Sequence, residues 1–258
     1  MRHVPLLLAA LSSVALAGPP EPVDVRRAVA GGGWINWTTM ELEASASVVG
    51  TGVGGSQEAT EQQARRRISP AMAAAVRAIP VTSAVHSSEL LERGELTEVL
   101  HNRIKLWAVT EARYHTSGKV HLEGRLSLSV YLRPWSLQRA AHRPETPTVS
   151  GYSGLVVDAR GSGVSFAFAP RLLDDEGGEL WNGQVWRDRV LEVTPVVYVA
   201  DPAHPVAARA GEQPLVVRAQ RASGPDLILS GPDVQAVRRH VVGSPALHEG
   251  RVVVLVDP

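Results

Sequence analysis

Thr39-Met40-Glu41-Leu42-Glu43-Ala44-Ser45-Ala46-Ser47-Val48-Val49 alternates apolar and polar residues as far as Val48. Met40, Leu42, Ala44, Ala46 and Val48 share one face of an extended chain, and Glu41, Glu43, Ser45 and Ser47 share the other. This is the pattern of a strand buried on one side only. Gly50 to Gly55 interrupts it. From Ser56 the period changes: Ala64, Ile68, Met72, Ala75 and Ile79 recur at helical spacing, with Ser56 placed to cap the first turn. Pro70 lies within that run and predicts a kink or a split at Ser69, since proline offers no backbone donor. A half-wet strand followed by an amphipathic helix already indicates a layer of helix on sheet.

Downstream, residues 88 to 103 predict a second helical stretch broken near Gly94, with Leu90, Leu91, Leu96, Val99 and Leu100 as its apolar set. Two strands follow. Ile104, Leu106, Ala108 and Ala112 alternate with Lys105, Trp107, Glu111 and Arg113. After a turn at Thr116-Ser117-Gly118, Val120, Leu122, Leu126, Leu128, Val130 and Leu132 alternate with His121, Glu123, Arg125, Ser127 and Ser129. The pair predicts an antiparallel hairpin with one wet face. Residues 34–133 are thus expected to form a small antiparallel sheet with helices on one face.

Residues 134–151 carry Pro134, Pro144, Pro147 and Gly151 with few apolar residues and read as a linker. Residues 152–258 are strand-rich, with candidate strands at 153–158, 164–173, 192–200, 215–221, 226–229 and 251–256. One short helix is expected from Ser230, with Pro232 in its first turn, to about Val241. The fold class is therefore α+β: a small antiparallel sheet with helices on one face, then a strand-rich second domain. Strands and helices do not alternate, which disfavours a doubly wound sheet.

The N-terminus supplies an address. Met1-Arg2-His3, an apolar run from Val4 to Leu16, and Ala15-Leu16-Ala17 before Gly18 form the three-part pattern of a cleavable secretory signal peptide over residues 1–17. The run is short of the roughly 20 apolar residues of a membrane span, and no later segment is long and apolar enough to span. Residues 18–33, rich in Gly, Pro and Ala, read as a flexible leader. The chain has no cysteine, so neither disulfides nor a lipid-bearing Cys after the cleavage site are expected. Its 26 basic and 26 acidic residues balance, and removing Arg2 leaves one acidic charge in excess. Nothing in that balance suggests the electrostatic footprint of a nucleic-acid binder. Arginine supplies nearly all the basic charge, Lys105 and Lys119 being the exceptions; it suits bidentate anion recognition, but the preferred reading is the codon bias of a GC-rich genome.

The candidate chemical motifs mostly fail on spacing. Gly50-Thr51-Gly52-Val53-Gly54-Gly55 fits the dinucleotide pattern between a strand and a helix, but no acidic residue ends a second strand some 20 residues on to hold a ribose. A strand-to-helix turn is the preferred reading, and no cofactor is expected. His115 and His121 flank the hairpin turn without zinc-site spacing. Gly151-Tyr152-Ser153-Gly154 lacks the nucleophile-elbow pattern. Asp174-Asp175-Glu176-Gly177-Gly178 lacks calcium-loop spacing and reads as a solvated turn. Trp107 falls on the polar face of its strand, and Trp181 and Trp186 flank Gly183; all are contacts for a partner or for the neighbouring domain. Asp158 and Arg160, in Asp158-Ala159-Arg160-Gly161, are the candidate binding residues. Two apart on a strand, they share a face and present either an anion or peptide site or an ion pair at a sheet edge.

The strand from Trp34 to Val49, the Gln- and Ala-rich helix and the hairpin with Gly118 at its tip resemble a Gram-negative envelope family. That family comprises small membrane-associated lipoproteins and the N-terminal domain of flagellar assembly protein T (FlgT). The resemblance covers about residues 34–133; the stretch from Tyr152 to Asp158 and on to Gly161 is similar to the segment that follows this domain in some exported relatives. It implies a non-enzymatic structural, assembly or protein-binding role at the periplasm or outer-membrane periphery, with another envelope protein or assembly as partner and no catalytic residues. The missing lipid-bearing Cys departs from the lipoprotein members. A second expectation, of another class, is a periplasmic ligand-binding or hydrolytic protein with a site between the two domains that uses Asp158 and Arg160.

Overall fold

The computed structural model describes residues 22–50, 56–145, 151–242 and 244–258. The signal pattern at 1–17, the glycine run 51–55 and part of the linker lie outside the described residues.

The first sheet is built from β1 (Arg26–Val29), β2 (Gly33–Asn36), β3 (Glu41–Val49), β4 (Ala108–Tyr114) and β5 (Lys119–Ser127), in the order β1-β2-β3-β5-β4 and antiparallel throughout. Leu42, Ala44 and Val48 of β3 and Val120, Leu122 and Leu126 of β5 are buried on one face. Against that face lies α1 (Gln57–Arg77), which buries Ala64, Ile68, Met72 and Ala75. The alternation in β3 and the helical period after Ser56 thus meet as one interface. Ser56 caps α1 by accepting a hydrogen bond from Ala59 N, as expected. The helix is not split at Ser69. Pro70 sits on its exposed side, where water can serve the carbonyl left without a partner, while buried Ile68 and Met72 pin both halves to the sheet.

Three further expectations are corrected here. Residues 26–29, assigned to a flexible leader, form β1 of a hairpin. Gly31 and Gly32 take φ of 100° and 93° in its turn, so those glycines supply the left-handed geometry of a tight turn. The second correction concerns β4. Ile104 ends a helix instead of starting a strand, and a bulge between Val109 and Glu111 reverses the strand's parity. Ala112 keeps the expected side, opposite Leu122, but Trp107 turns inward and covers Gly124 beside Ile68. The helix layer is completed by α2 (Ser87–Glu92), α3 (Gly94–Ile104), α4 (Leu128–Tyr131) and α5 (Arg133–Arg139). Residues 128–131, expected to extend β5, turn helical because Leu128, Ser129 and Tyr131 are all buried, which a one-sided strand cannot achieve.

The second sheet has seven strands: β6 (Leu155–Asp158), β7 (Leu172–Leu173), β8 (Glu179–Trp181), β9 (Val196–Val199), β10 (Leu215–Ser223), β11 (Asp226–Leu229) and β12 (Val252–Leu255). Their order is β8-β7-β11-β10-β6-β12-β9. Central β6 is parallel to both β10 and β12, and β12 to β9, so four carboxyl ends point to one edge. Ser230 precedes α6 (Gly231–His240) as expected, and a second short helix, α7 (Pro245–His248), adds to the single one anticipated. The fold class is α+β.

The long strand expected at 164–173 is present only as Leu172–Leu173. Its first part leaves the sheet to pack against the first: Phe168 N and Ala169 N donate to Pro80 O and Val81 O at 2.9 and 2.8 Å. Trp37, Phe166 and Tyr198 form a ring cluster there, with centroids 5.0 to 5.9 Å apart, and buried apolar residues run continuously from one sheet to the other.

Candidate functional site

The carboxyl edge of the parallel strands is where α/β sheets present ligand sites, because the chain leaves each strand there and opens a crevice. At that edge Asp158 ends β6, Asp257 follows β12, and β10 runs on past β6 as a wall. Asp158 and Arg160 are brought together: Arg160 Nε and Nη2 donate to Asp158 Oδ1 and Oδ2 at 2.8 and 2.7 Å, and Arg160 N donates to Oδ1 at 3.2 Å. The guanidinium holds the Asp158 carboxyl below its ordinary range. Gly161, at φ 75°, turns the chain so that its N–H donates to the Asp257 carboxylate at 2.9 Å. The pair therefore stands at the end of a central strand, not at a sheet edge as the sequence alone suggested.

Arg160, Ser162, Arg218, Gln220, Ser230 and Asp233 line a cleft of about 380 Å³. Asp233 accepts a 3.2 Å hydrogen bond from Arg218 N, tying the first turn of α6 to β10. Arg160 is neutralised by Asp158. Arg218 is exposed, and its guanidinium makes no ion pair among the described residues. The cleft thus sets one guanidinium without an ion pair beside one committed pair, with the Asp233 carboxylate on the same wall.

A separate cleft of about 300 Å³ opens between the two sheets, lined by Arg27, Ile35, Trp37, His86 and Phe166, with the Arg27 guanidinium 4.8 Å from the Phe166 ring centroid. Neither Asp158 nor Arg160 lines it; Arg160 lines the strand-end cleft within the second half instead.

The third surface is the open face of the first sheet. Trp34 is 48% exposed there and stands opposite Glu43. Around it runs a ladder of ion pairs across the strands: Arg26 to Glu43 at 3.4 Å, Arg125 to Glu43 at 3.8 Å and to Glu41 at 3.4 Å, and Arg113 to Glu123 at 3.6 Å. His121 bonds Ser47 at 2.9 Å and lies opposite Arg113, not His115. Sequence reasoning passed over Trp34 as a candidate, although its pairing partner Glu43 was already placed on the wet face.

The remaining candidates are structural. Trp181 and Trp186 are buried, and Trp186 stacks on His248 beneath Arg143. Asp174 closes the turn between β7 and β8 by accepting from Glu176 N and Gly178 N, and pairs with Arg238 of α6 at 2.6 Å. Among the described residues no group of three or more His, Asp or Glu could hold a metal ion.

These features define an α+β protein whose two sheets share a core and whose open surfaces are a charged sheet face and a strand-end cleft. Residues 154–258 match a protein-family model described as Treponema pallidum Tp0624, second domain. The matched segment starts just before β6 and contains the whole Asp158–Arg160 cleft. It lies outside residues 34–133. No curated protein sequence matches the chain.

Proposed function

We propose that this is an exported protein of the periplasm or outer-membrane periphery with a non-enzymatic assembly or protein-binding role, docking its partner on the open face of the first sheet. The observation that carries this reading is Trp34: a large aromatic half exposed within a ladder of charges. A flat apolar ring rimmed by polar groups is the arrangement that concentrates binding energy in protein interfaces. Two further points support it: the signal-peptide pattern at 1–17 and the resemblance of residues 34–133 to an envelope assembly domain. Among the described residues no helix is long and apolar enough to cross a membrane.

A photo-crosslinking amino acid placed at Trp34 in living cells tests the docking face. A discrete protein adduct is expected from Trp34 and from neighbouring Ser45, and none from Arg66 on the far side of α1. Adducts that do not differ between the two faces would overturn the reading.

Arg218 favours a second reading, a ligand-binding or hydrolytic protein acting through the strand-end cleft with Asp158 and Arg160. Asp158→Ala and Arg160→Ala should then abolish a ligand-induced melting shift that the wild type shows; unchanged shifts would remove it.

A further inference from the structure

We infer that Arg103 and Arg133 form the protein side of a binding site for a phosphate-class oxyanion, in the helix layer and outside the three surfaces described above. Arg103, in the last turn of α3, donates from Nη1 to Val130 O at 2.7 Å. Val130 is three residues before Arg133, the first residue of α5, so the bond pins one guanidinium at the junction where the other begins.

Both side chains are half-buried, and in each the Nε–H is shut off from solvent and has no acceptor. Three buried side-chain donors or acceptors among the described residues lack a partner, and two of them belong to this pair, the third being Nε of Arg189. Neither Arg103 nor Arg133 makes an ion pair among the described residues. Burial lowers the proton affinity of Arg103, and the charge of Arg133 lowers it further. A folded chain that gathers two guanidiniums, leaves a donor of each unused and supplies no carboxylate to separate them holds an arrangement that is unfavourable until an anion arrives.

The donor geometry selects the chemical class. Each guanidinium is a rigid planar fork of N–H groups. A single carboxylate has two oxygens and satisfies one fork; a phosphate group has enough acceptor oxygens and charge for both. Inorganic phosphate and the headgroup of an anionic phospholipid share that chemistry.

The test is calorimetric titration of the full mature chain with inorganic phosphate at fixed ionic strength, with chloride as control, and parallel titration with vesicles of phosphatidylglycerol or phosphatidylcholine. Saturable phosphate binding is expected, weakened about tenfold or more by Arg103→Gln and by Arg133→Gln, the scale of one charge-assisted hydrogen bond. Arg133→Lys keeps the charge but not the fork and should also bind more weakly. In phosphate-free buffer Arg133→Gln should melt no lower than wild type, because it removes a repulsion, and phosphate should no longer raise its Tm. Binding of phosphatidylglycerol vesicles that is lost in the same variants would assign the headgroup source; binding of free phosphate alone would assign a soluble one. Absence of saturable binding to either probe, or variants that retain wild-type affinity, would overturn the site.

Discussion

Thr38 Oγ1 donates a 2.7 Å hydrogen bond to the carbonyl of Tyr198 and accepts one of 2.9 Å from Val25 N. One hydroxyl thereby joins the corner between β2 and β3 to β9, on the far side of the sequence, and Tyr198 N returns the link by donating to Trp37 O at 3.1 Å. Thr38 is fully buried, so no water can replace what it supplies. Thr38→Val keeps the shape and strands both partners. It should destabilise the protein by about 1–3 kcal/mol, the usual cost of an unsatisfied buried polar group, measured by denaturant unfolding. Because the core is continuous, unfolding should remain a single transition; two resolved transitions would show that the halves are held separately.

Pro70 makes a second prediction, of the opposite sign. It occupies an exposed position inside α1, where proline removes a backbone hydrogen bond and crowds the preceding turn. Pro70→Ala should raise stability by about 2 kcal/mol, the helical gain being partly offset by the freer unfolded chain. Thermal melting of the single variant checks this, and a lowered Tm would mean that the proline matches a bend on which the packing depends.

Gly124 and Trp107 form a third, tightly coupled pair. A Cβ at Gly124 would lie 2.7 Å from Trp107 Cε3, inside contact distance. Gly124→Ala should cost about 1–3 kcal/mol through overpacking. Adding Trp107→Ala removes the clash, so the double variant should lose less than the two single losses added together. Strict additivity in that cycle would show that the ring does not stand over the glycine.

Alkaline pH should unfold the protein through its buried tyrosines. Burial pushes the Tyr131 phenol up to about 12, even though Ser87 bonds its oxygen at 3.1 Å, and burial raises Tyr198 as well. A phenol whose folded value exceeds its ordinary value near 10 binds its proton more tightly when folded. The stability this gives is whole below about pH 10 and falls as the pH climbs from there through about 12. Ultraviolet titration should show these two phenols ionising together with loss of the fold, and Tyr131→Phe should flatten part of that fall. Ionisation of both at pH 10 in a still-folded chain would contradict the burial.

Much of the local structure was legible because it repeats at short range. Alternation in β3 and the helical spacing of Ala64, Ile68 and Met72 state which side of each element avoids water, and Ser56 marks a helix start by its own capping chemistry. Where burial is two-sided, that signal disappears. Residues 164–171 read as a strand because they are apolar, yet they cross to the first sheet, since Phe166 and Phe168 find more to cover there. The candidate pair shows the same division. Asp158 and Arg160 were visible as neighbours on one face; whether they would bind each other or a ligand depended on where the strand ends.

The sequence by itself determined the α+β class, the faces of β3, β5 and α1, and the balance of charge, because these follow from composition and from residues a few positions apart. Only the tertiary structure decided the hairpin at Gly31 and Gly32, the reversal of Trp107 by a bulge, the closure of Asp158 upon Arg160 and the bond from Arg103 to Val130 O just ahead of α5. Each depends on contacts between separate elements. A one-residue change in register moves a side chain to the opposite face, and no local periodicity records which register the distant partner imposes.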